Sequence, residues 1–427
     1  MDQQTIKNLK LRMEYENNRT APPEGFPQFP DIPAERYVSE SFYDLELEHM
    51  WRKSWLYAGH VDEVPEVGSF KVFDKVPDMP VFLVRGRDHQ VRAFYNTCSH
   101  RGACVVREKQ GKCSRLMCGF HAWTYDLQGN LVGVTDQRDF IGLDKSQRGL
   151  MPLRCEQFGN WLFINGDMDA KPLAEQMNVV GDELQEFELD KLKFIASYSY
   201  EVPANWKVVI DAFLENYHFQ SVHAATVGAP GPNSTVNHFG SVMRVFPFGN
   251  SSGILPWNVG FKRGVNEDLD MGFDSIPDIP STGDIARETV LAYNIFPNLF
   301  SPTFSNGLPF NVLWPTSRTT TLYEVHWFGL DPGDDETLKK AWGEKIAAYN
   351  LFLDEDLAFV PSVQRSMQSP AFRSMPLNYQ EKRIYNLHEE LDRVIGCDKI
   401  PEAMRVVPVL ENFIERSEDK AAIPEIA

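Results

Sequence analysis

Cys98-Ser99-His100-Arg101-Gly102 and Cys118-Gly119-Phe120-His121-Ala122-Trp123 decide how the first half of this chain is read. Each stretch joins one cysteine to one histidine, spaced CxH in the first and CxxH in the second, with seventeen residues between His100 and Cys118. Two thiolates can hold one iron of a [2Fe–2S] cluster and two imidazoles the other, and imidazole ligation raises the potential from about −400 mV to roughly −150 to +300 mV. Gly102 and Gly119 follow ligands at points where the backbone must approach the sulfides closely. Trp123 and Tyr125 are placed to shield the cluster and donate hydrogen bonds that tune it. The rival reading is a structural zinc site, which usually groups like ligands as CxxC and HxxxH; here the order is Cys-His-Cys-His. Cys104 and Cys113 form no CxxC with their neighbours and read as packed or free thiols. The chain therefore handles electrons.

At 427 residues it is long enough for two or three domains, each with a full core. Hydrophobic residues make up 43% and charged residues 24%, an ordinary globular balance. A net charge of −18 and a pI near 5.0 argue against nucleic acid or an anionic membrane as partner. An acidic surface would suit a basic redox partner. The segment Met1–Arg19 is polar with no apolar core of a signal peptide, and no apolar run reaches the roughly 18 to 20 residues of a membrane helix. Six cysteines in such a chain read as ligands or buried thiols rather than a disulfide framework, so a reducing cytoplasm is expected.

The periodicities predict an α+β chain. Residues 1–24 read as helix broken at Pro22-Pro23, followed by a proline-rich extended stretch, and Ser39 or Ser41 is placed to cap a short helix carrying Leu45, Met50 and Trp51. From Trp55 to about Gly166, short apolar runs such as Phe70–Phe73, Val81–Val84 and Val91–Tyr95 alternate with turn signals, the pattern of a small all-β domain ending in the strand Gly159–Asn165. Beyond Ala170 helix and strand mix. Residues 205–225 read as helical, 319–329 as a strand, and Asp335 to Met367 as a long amphipathic helix interrupted at Pro361.

A lone cluster would leave some 260 residues unexplained, and these hold a second constellation. In Asn205–His223, His218 and His223 stand five residues apart; on an ideal helix they would point about 140° apart, so both reach one metal only if the helix ends or kinks between them. Two histidines and a carboxylate form the facial triad of non-haem Fe(II) oxygenases. The stretch Leu353-Asp354-Glu355-Asp356-Leu357 offers three carboxylates, and the residues alone do not choose among them.

Both constellations resemble those of Rieske non-haem iron oxygenase α subunits: the His-Arg-Gly after the first cluster loop, the Gly-Phe-His-Ala-Trp-x-Tyr of the second, and the Glu-x-x-His-x4-His of residues 215–223. Respiratory Rieske proteins are less similar, since they carry a further cysteine in each loop. The resemblance runs from about residue 40 to 415. It implies an N-terminal helical and extended segment (1–45), a Rieske [2Fe–2S] domain (46–168) ligated by Cys98, His100, Cys118 and His121, and a helix-grip catalytic domain (169–427), an antiparallel sheet with helices. It points to Asp356 as the third iron ligand, because the ligand Asp of such oxygenases often precedes a Gln by eight residues, as Asp356 precedes Gln364, with Asp354 as the fallback. It gives Glu215, in a position more often Asp, the task of bridging the iron ligand His218 to the cluster ligand His121 of a neighbouring subunit in a head-to-tail trimer, with an α3β3 assembly also open. A family Asn appears here as Ala212.

The activity implied by the resemblance is that of a terminal oxygenase. Electrons from NAD(P)H arrive through a separate flavin reductase or ferredoxin, since no GxGxxG segment occurs, and O2 is used to hydroxylate an aromatic or other apolar molecule once or twice. The alternatives are O- or N-demethylation, including of a quaternary ammonium compound, and a Rieske electron carrier without oxygenase activity. Phe246, Phe248, Leu255 and Trp257, with Phe296, Phe300, Phe304 and Phe310, are candidate pocket walls, though packing alone accounts for such residues. Arg244, Lys262, Arg263, Arg287 and Arg318 are candidates for pairing a substrate carboxylate.

Overall fold

Val81-Phe82-Leu83-Val84 is a run of four apolar, strand-favouring residues, and in the computed structural model each is fully buried at the centre of a sheet. The structure describes residues 1–223, 241–256 and 275–417, so Trp257, Lys262 and Arg263 lie outside the described residues. Two compact units are present: one is Leu47–Leu173, the other Met1–Glu46 together with Ala174–Ala427.

The first unit contains β1 (Leu56–His60), β2 (Ser69–Phe73), β3 (Val81–Arg85), β4 (Val91–Tyr95), β5 (Gln110–Lys112), β6 (Leu116–Met117), β7 (Thr124–Tyr125), β8 (Leu131–Gly133), β9 (Pro152–Phe158) and β10 (Trp161–Asn165). Seven form an antiparallel sheet in the order β1-β10-β9-β4-β3-β2-β5, and β6-β7-β8 form a second. The first cluster loop lies between β4 and β5, the second in the β6–β7 hairpin. Their apolar support is one cluster in which Cys98 and Cys118 pack with Phe82, Phe94, Trp123 and Tyr125.

The larger unit is built on β11 (Lys193–Val202), β12 (Val242–Val245), β13 (Ser251–Pro256), β14 (Thr289–Ile295), β15 (Leu299–Thr303), β16 (Leu308–Ser317) and β17 (Thr320–Gly329), all antiparallel in the order β11-β17-β16-β15-β14-β13-β12. Along β17 buried and partly exposed residues alternate, the period of a strand with one covered face. The main helices are α1 (Gln3–Asn18), α2 (Trp206–Phe213), α3 (Phe219–Val222), α4 (Glu336–Met367) and α5 (Lys382–Ile395).

Three local expectations change. The described part of the segment expected to be helical, 205–223, is two helices rather than one, because α2 stops at Phe213 and α3 is a single turn. Ser39 occupies the cap position of Glu40–Leu45 without a capping bond; its Oγ meets Ser41 Oγ at 2.8 Å instead. And α4 runs unbroken through Pro361. An internal proline costs about 3 kcal/mol, but the buried face of α4, with Leu353, Asp356, Val360, Gln364 and Met367, holds the helix on both sides of it. The helix also lies close on the sheet: a Cβ on Gly307 would sit 2.5 Å from the Trp342 ring.

Helix α2 is anchored by buried charge. Lys207 Nζ meets Glu46 Oε1 at 2.6 Å with both side chains fully buried, and Trp206 Nε1 donates to Glu46 Oε2 at 3.2 Å. One turn on, Tyr37 donates to Asp211 at 2.6 Å and meets His388 Nε2 at 2.8 Å, while Arg36 Nε donates to His388 Nδ1 at 2.9 Å. Burial pushes Glu46 up and Lys207 down, each against the pull of its partner. Removing one member alone leaves an uncompensated buried charge. Lys207→Met is therefore expected to cost about 3–5 kcal/mol in urea unfolding, and the pair Lys207→Met with Glu46→Gln to recover most of that loss.

Candidate functional site

The two cluster loops close alike. Cys98 N–H donates to Ala103 O at 2.8 Å and Gly102 N–H to Cys98 O at 2.9 Å; Cys118 N–H donates to Trp123 O and Ala122 N–H to Cys118 O, both at 2.9 Å. The fourth residue after each cysteine is left-handed, Gly102 at φ 78° and Ala122 at φ 57°. Gly102 is thus required by conformation, whereas Gly119 makes room for the Arg107 guanidinium, 3.1 Å from where its Cβ would be. Asn96 fixes the base of the first loop, accepting from Val105 and Val106 N–H and donating to Val106 O.

This brings the four predicted residues together with thiols inside and imidazoles outside. Cys98 and Cys118 are buried, while His100 and His121 are partly exposed and meet edge to face, ring centroids 4.6 Å apart. His100 stacks on Trp123 at 4.8 Å. Tyr125 Oη lies 3.2 Å from Cys98 Sγ and accepts from Ser99 N–H at 3.1 Å. Ligands of one zinc ion would lie within about 4 Å of one another, given bonds of 2.0–2.3 Å. Among the described residues the set of three or more ligand atoms within 4.8 Å is His218, His223 and Asp356, not these four. A two-iron cluster takes thiolates on one iron and imidazoles on the other, which matches two buried thiols beside two partly exposed imidazoles.

The second set is tight. His218 and His223 stand at the two ends of the one-turn α3, so their side chains turn back towards each other. His218 Nε2 lies 3.3 Å from His223 Nε2, and Asp356 Oδ1 lies 3.4 Å from the first and 3.0 Å from the second. Metal–ligand bonds of about 2.0–2.2 Å meeting at right angles give edges of about 3 Å, so the triangle fits one face of an octahedral ion. Asp356 is buried on α4 and Asp354 is exposed, which leaves the fallback ligand outside the group.

Each imidazole is gripped at its other nitrogen. Glu215 Oε1 lies 2.5 Å from His218 Nδ1, and Glu355 Oε2 lies 2.7 Å from His223 Nδ1. Such carboxylates fix ring orientation and raise ligand basicity. Glu215 reaches His218 through a turn rather than along a helical face, accepting also from the N–H groups of Tyr217 and His218. Burial would lower His218, but hydrogen bonds to Asp356 and Glu215 outweigh it and carry the imidazole up to about 10; Asp356, which burial would raise, is drawn below the usual carboxylate range by the two histidines. Three carboxylates converging on two imidazoles demand positive charge, which a divalent ion supplies.

Sequence reasoning missed the part played by Glu355, which stood only among three possible ligands, and missed Asn96 and the left-handed Ala122. Of the candidate substrate cations, Arg244 is committed internally, to Glu183 at 2.8 Å and Glu415 at 3.0 Å, and Arg318 pairs with Glu40 at 2.9 Å. Phe246, Phe296, Phe300, Phe304 and Phe310 are all buried.

Comparison with known proteins agrees with this geometry. The Rieske [2Fe-2S] domain family matches residues 54–146, and the ring hydroxylating alpha subunit (catalytic domain) family matches residues 189–396. The chain belongs to the Rieske oxygenases, as an α subunit with a [2Fe–2S] cluster and a mononuclear iron. It is similar to the carnitine monooxygenase oxygenase subunit of Escherichia coli K12, 28% identical over 80% of this chain and 85% of that one. It is also similar to the biphenyl 2,3-dioxygenase subunit alpha of Rhodococcus jostii RHA1, 32% identical over 43% and 41%. Among solved structures, the quaternary ammonium Rieske monooxygenase CntA with L-carnitine aligns with a TM-score of 0.68 at 22% identity, covering 88% of this chain and 99% of that one.

Two variants separate the sites. Cys118→Ala is expected to lose the visible absorption of the cluster and keep iron at the second site. Glu355→Gln is expected to keep the full cluster spectrum and weaken Fe(II) binding about 10- to 100-fold, measured by metal titration of the iron-depleted protein.

Proposed function

We propose that His218, His223 and Asp356 hold the mononuclear iron, that Cys98, His100, Cys118 and His121 hold the cluster, and that the enzyme is a monooxygenase acting beside a quaternary ammonium group. When bound, the cluster supplies single electrons and the iron supplies the place where O2 is reduced next to substrate. The overall change is substrate + O2 + two electrons + two protons giving hydroxylated substrate and water; where the hydroxyl lands on a carbon attached to nitrogen, the C–N bond then breaks as that carbon becomes a carbonyl, the amine leaves with the bonding pair and the hydroxyl proton is released.

The observation that carries the iron assignment is the triangle of His218, His223 and Asp356, with edges of 3.0–3.4 Å. For the substrate, the support is electrostatic. Glu215, Glu355 and Asp356 together outweigh the charge of one divalent ion, which favours a cationic substrate over a neutral or anionic one. The E. coli carnitine monooxygenase subunit matches four-fifths of the chain, whereas the biphenyl dioxygenase subunit matches under half. That dioxygenase supports the second reading, hydroxylation of an aromatic ring.

Glu215 orients His218 and presents its carboxylate towards a neighbouring subunit, where the imidazole of His121 meets it; the assembly is a trimer. A flavin reductase, alone or with a ferredoxin, supplies electrons from NAD(P)H.

The test is reconstitution with a surrogate reductase, monitoring NADH, O2 and product mass. L-Carnitine, γ-butyrobetaine or glycine betaine is expected to give coupled consumption with loss of an amine or a methyl. Coupled dihydroxylation of biphenyl or naphthalene, with the ammonium compounds inert, would reverse the substrate assignment. Glu215→Ala is expected to keep both metals and lose turnover by about 10- to 100-fold, as expected when the hydrogen-bonded partner of a metal ligand is removed. Sedimentation should give three times the chain's 48.8 kDa.

A further inference from the structure

The buried network that anchors α2 leaves one acid without a cation. Arg36 Nη1 donates to Asp392 at 2.5 Å, and Lys207 meets Glu46. Asp211, the third carboxylate, stands in the last turn of α2 and is 7% exposed. Its Oδ2 accepts from Tyr37, and its Oδ1 is buried with no hydrogen-bond partner. Among the described residues, no lysine or arginine comes within ion-pair distance of it.

The direction of the hydrogen bonds decides what the neighbouring imidazole can do. Arg is only ever a donor, so His388 Nδ1 accepts from Arg36 Nε and the ring's one proton sits on Nε2. Nε2–H donates to Tyr37 Oη, and the Tyr37 hydroxyl donates to Asp211. His388 Nε2 is 3.9 Å from Asp211 Oδ2. Burial, with the charges of Arg36 and Lys207, keeps that imidazole neutral. The chain of bonds therefore ends on Asp211 without bringing it a positive charge. A buried carboxylate in that position takes up a proton rather than remain an anion. Burial carries Asp211 up to about 7 against the Tyr37 hydrogen bond and the charges of Lys207 and Arg36, and Glu381 adds to the rise.

We propose that Asp211 carries a proton that positions the ligand-bearing segment: protonated, it seats the last turn of α2, and ionised, it loosens that turn and the Glu215–His218 stretch after it. The link is direct, because Asp211 O accepts the Leu214 N–H at 3.1 Å, the bond that closes α2. Asp211 is thus a positioning residue, acting through α2 and not at the metal. An acid whose pKa is raised on folding loses stability as pH rises from about 4, where the unfolded acid ionises, to about 7, and loses no more above that.

The experiment uses the full-length enzyme with both metals loaded. Infrared difference spectra between about pH 6 and about pH 9, in H2O and D2O, read the C=O stretch of a protonated carboxylic acid on either side of neutrality. Wild type should lose such a band as pH rises, and Asp211→Asn should lack it. The same difference spectrum in both would mean that Asp211 is ionised throughout, and overturns the proposal. The urea midpoint of wild type relative to Asp211→Asn should fall from about pH 4 to about 7 and then level off; a gap independent of pH would reduce Asp211 to an ordinary acceptor for Tyr37. Iron release from the loaded enzyme to a ferrous chelator reads the positioning. The ratio of wild-type to variant release rates should rise through neutrality, and a constant ratio sinks that role. If Asp211→Asn does not fold, Tyr37→Phe is measured in its place: losing the bond that favours the anion should move the infrared titration to higher pH, and no movement counts against the idea.

Discussion

The proposed metal triad depends on how α4 docks against the start of α2. Its ligands come from chain segments far apart in sequence, and no backbone pairing joins them. Beyond the site's own contacts they are joined by Gln364, whose Oε1 accepts the Asn205 N–H at 2.6 Å. Asn205 in turn caps α2, accepting from Lys207 N–H at 3.0 Å, and donates to Arg318 O at 2.8 Å. Asp356 lies eight residues before Gln364, about two turns and roughly 12 Å along one face of α4. The helix works as a ruler: fixing Gln364 at the head of α2 fixes where Asp356 meets the histidines beyond its end. The fully buried Glu46–Lys207 pair makes that head immovable from the other side. Its contribution is to position more than to stability, since buried pairs seldom stabilise relative to apolar packing.

The two histidines are held by different means, and the difference divides their work. Glu215 belongs to the same short segment as His218, so that contact is local and survives any shift of α4. Glu355 sits on α4 beside Asp356, so His223 is tied across to the other ligand-bearing segment whether or not metal is present. His223 is the joint of the site, and is 2% exposed. His218 is less buried, and its outer carboxylate is the one assigned to the proposed electron path. Rigidity at one imidazole and access at the other are compatible only because each has its own carboxylate.

Much of this was legible in the sequence, for identifiable reasons. Cys98, His100, Cys118 and His121 could be paired because their loops are local, and local spacing survives folding. The strands β2, β3 and β4 arise from unbroken apolar runs between turn signals. His218 and His223 were readable as a pair only on condition that the helix ends or kinks between them, and α3 does end at Val222, just before His223; the earlier stop of α2 at Phe213 could not be read, since Leu214-Glu215-Asn216 has no proline or glycine. Glu355 and Asp356 could not be told apart by composition; which carboxylate faces metal and which faces an imidazole depends on the azimuth of α4, set by tertiary contacts. Pro361 misled because propensity is a weak prior against ten buried side chains on one helix.

The charge pattern joins the two redox sites. The proposed iron triad, with Asp356 in it and Glu215 and Glu355 at its outer nitrogens, and the cluster loops, with the exposed cations Arg101, Arg107, Lys109 and Arg115, carry opposite local charge within one chain. The carboxylates are what support the proposed cationic substrate. Neither local sign is visible in the net charge of −18, which averages over groups that screening separates. The sign that matters to a partner is the sign within a Debye length of the atoms it must reach.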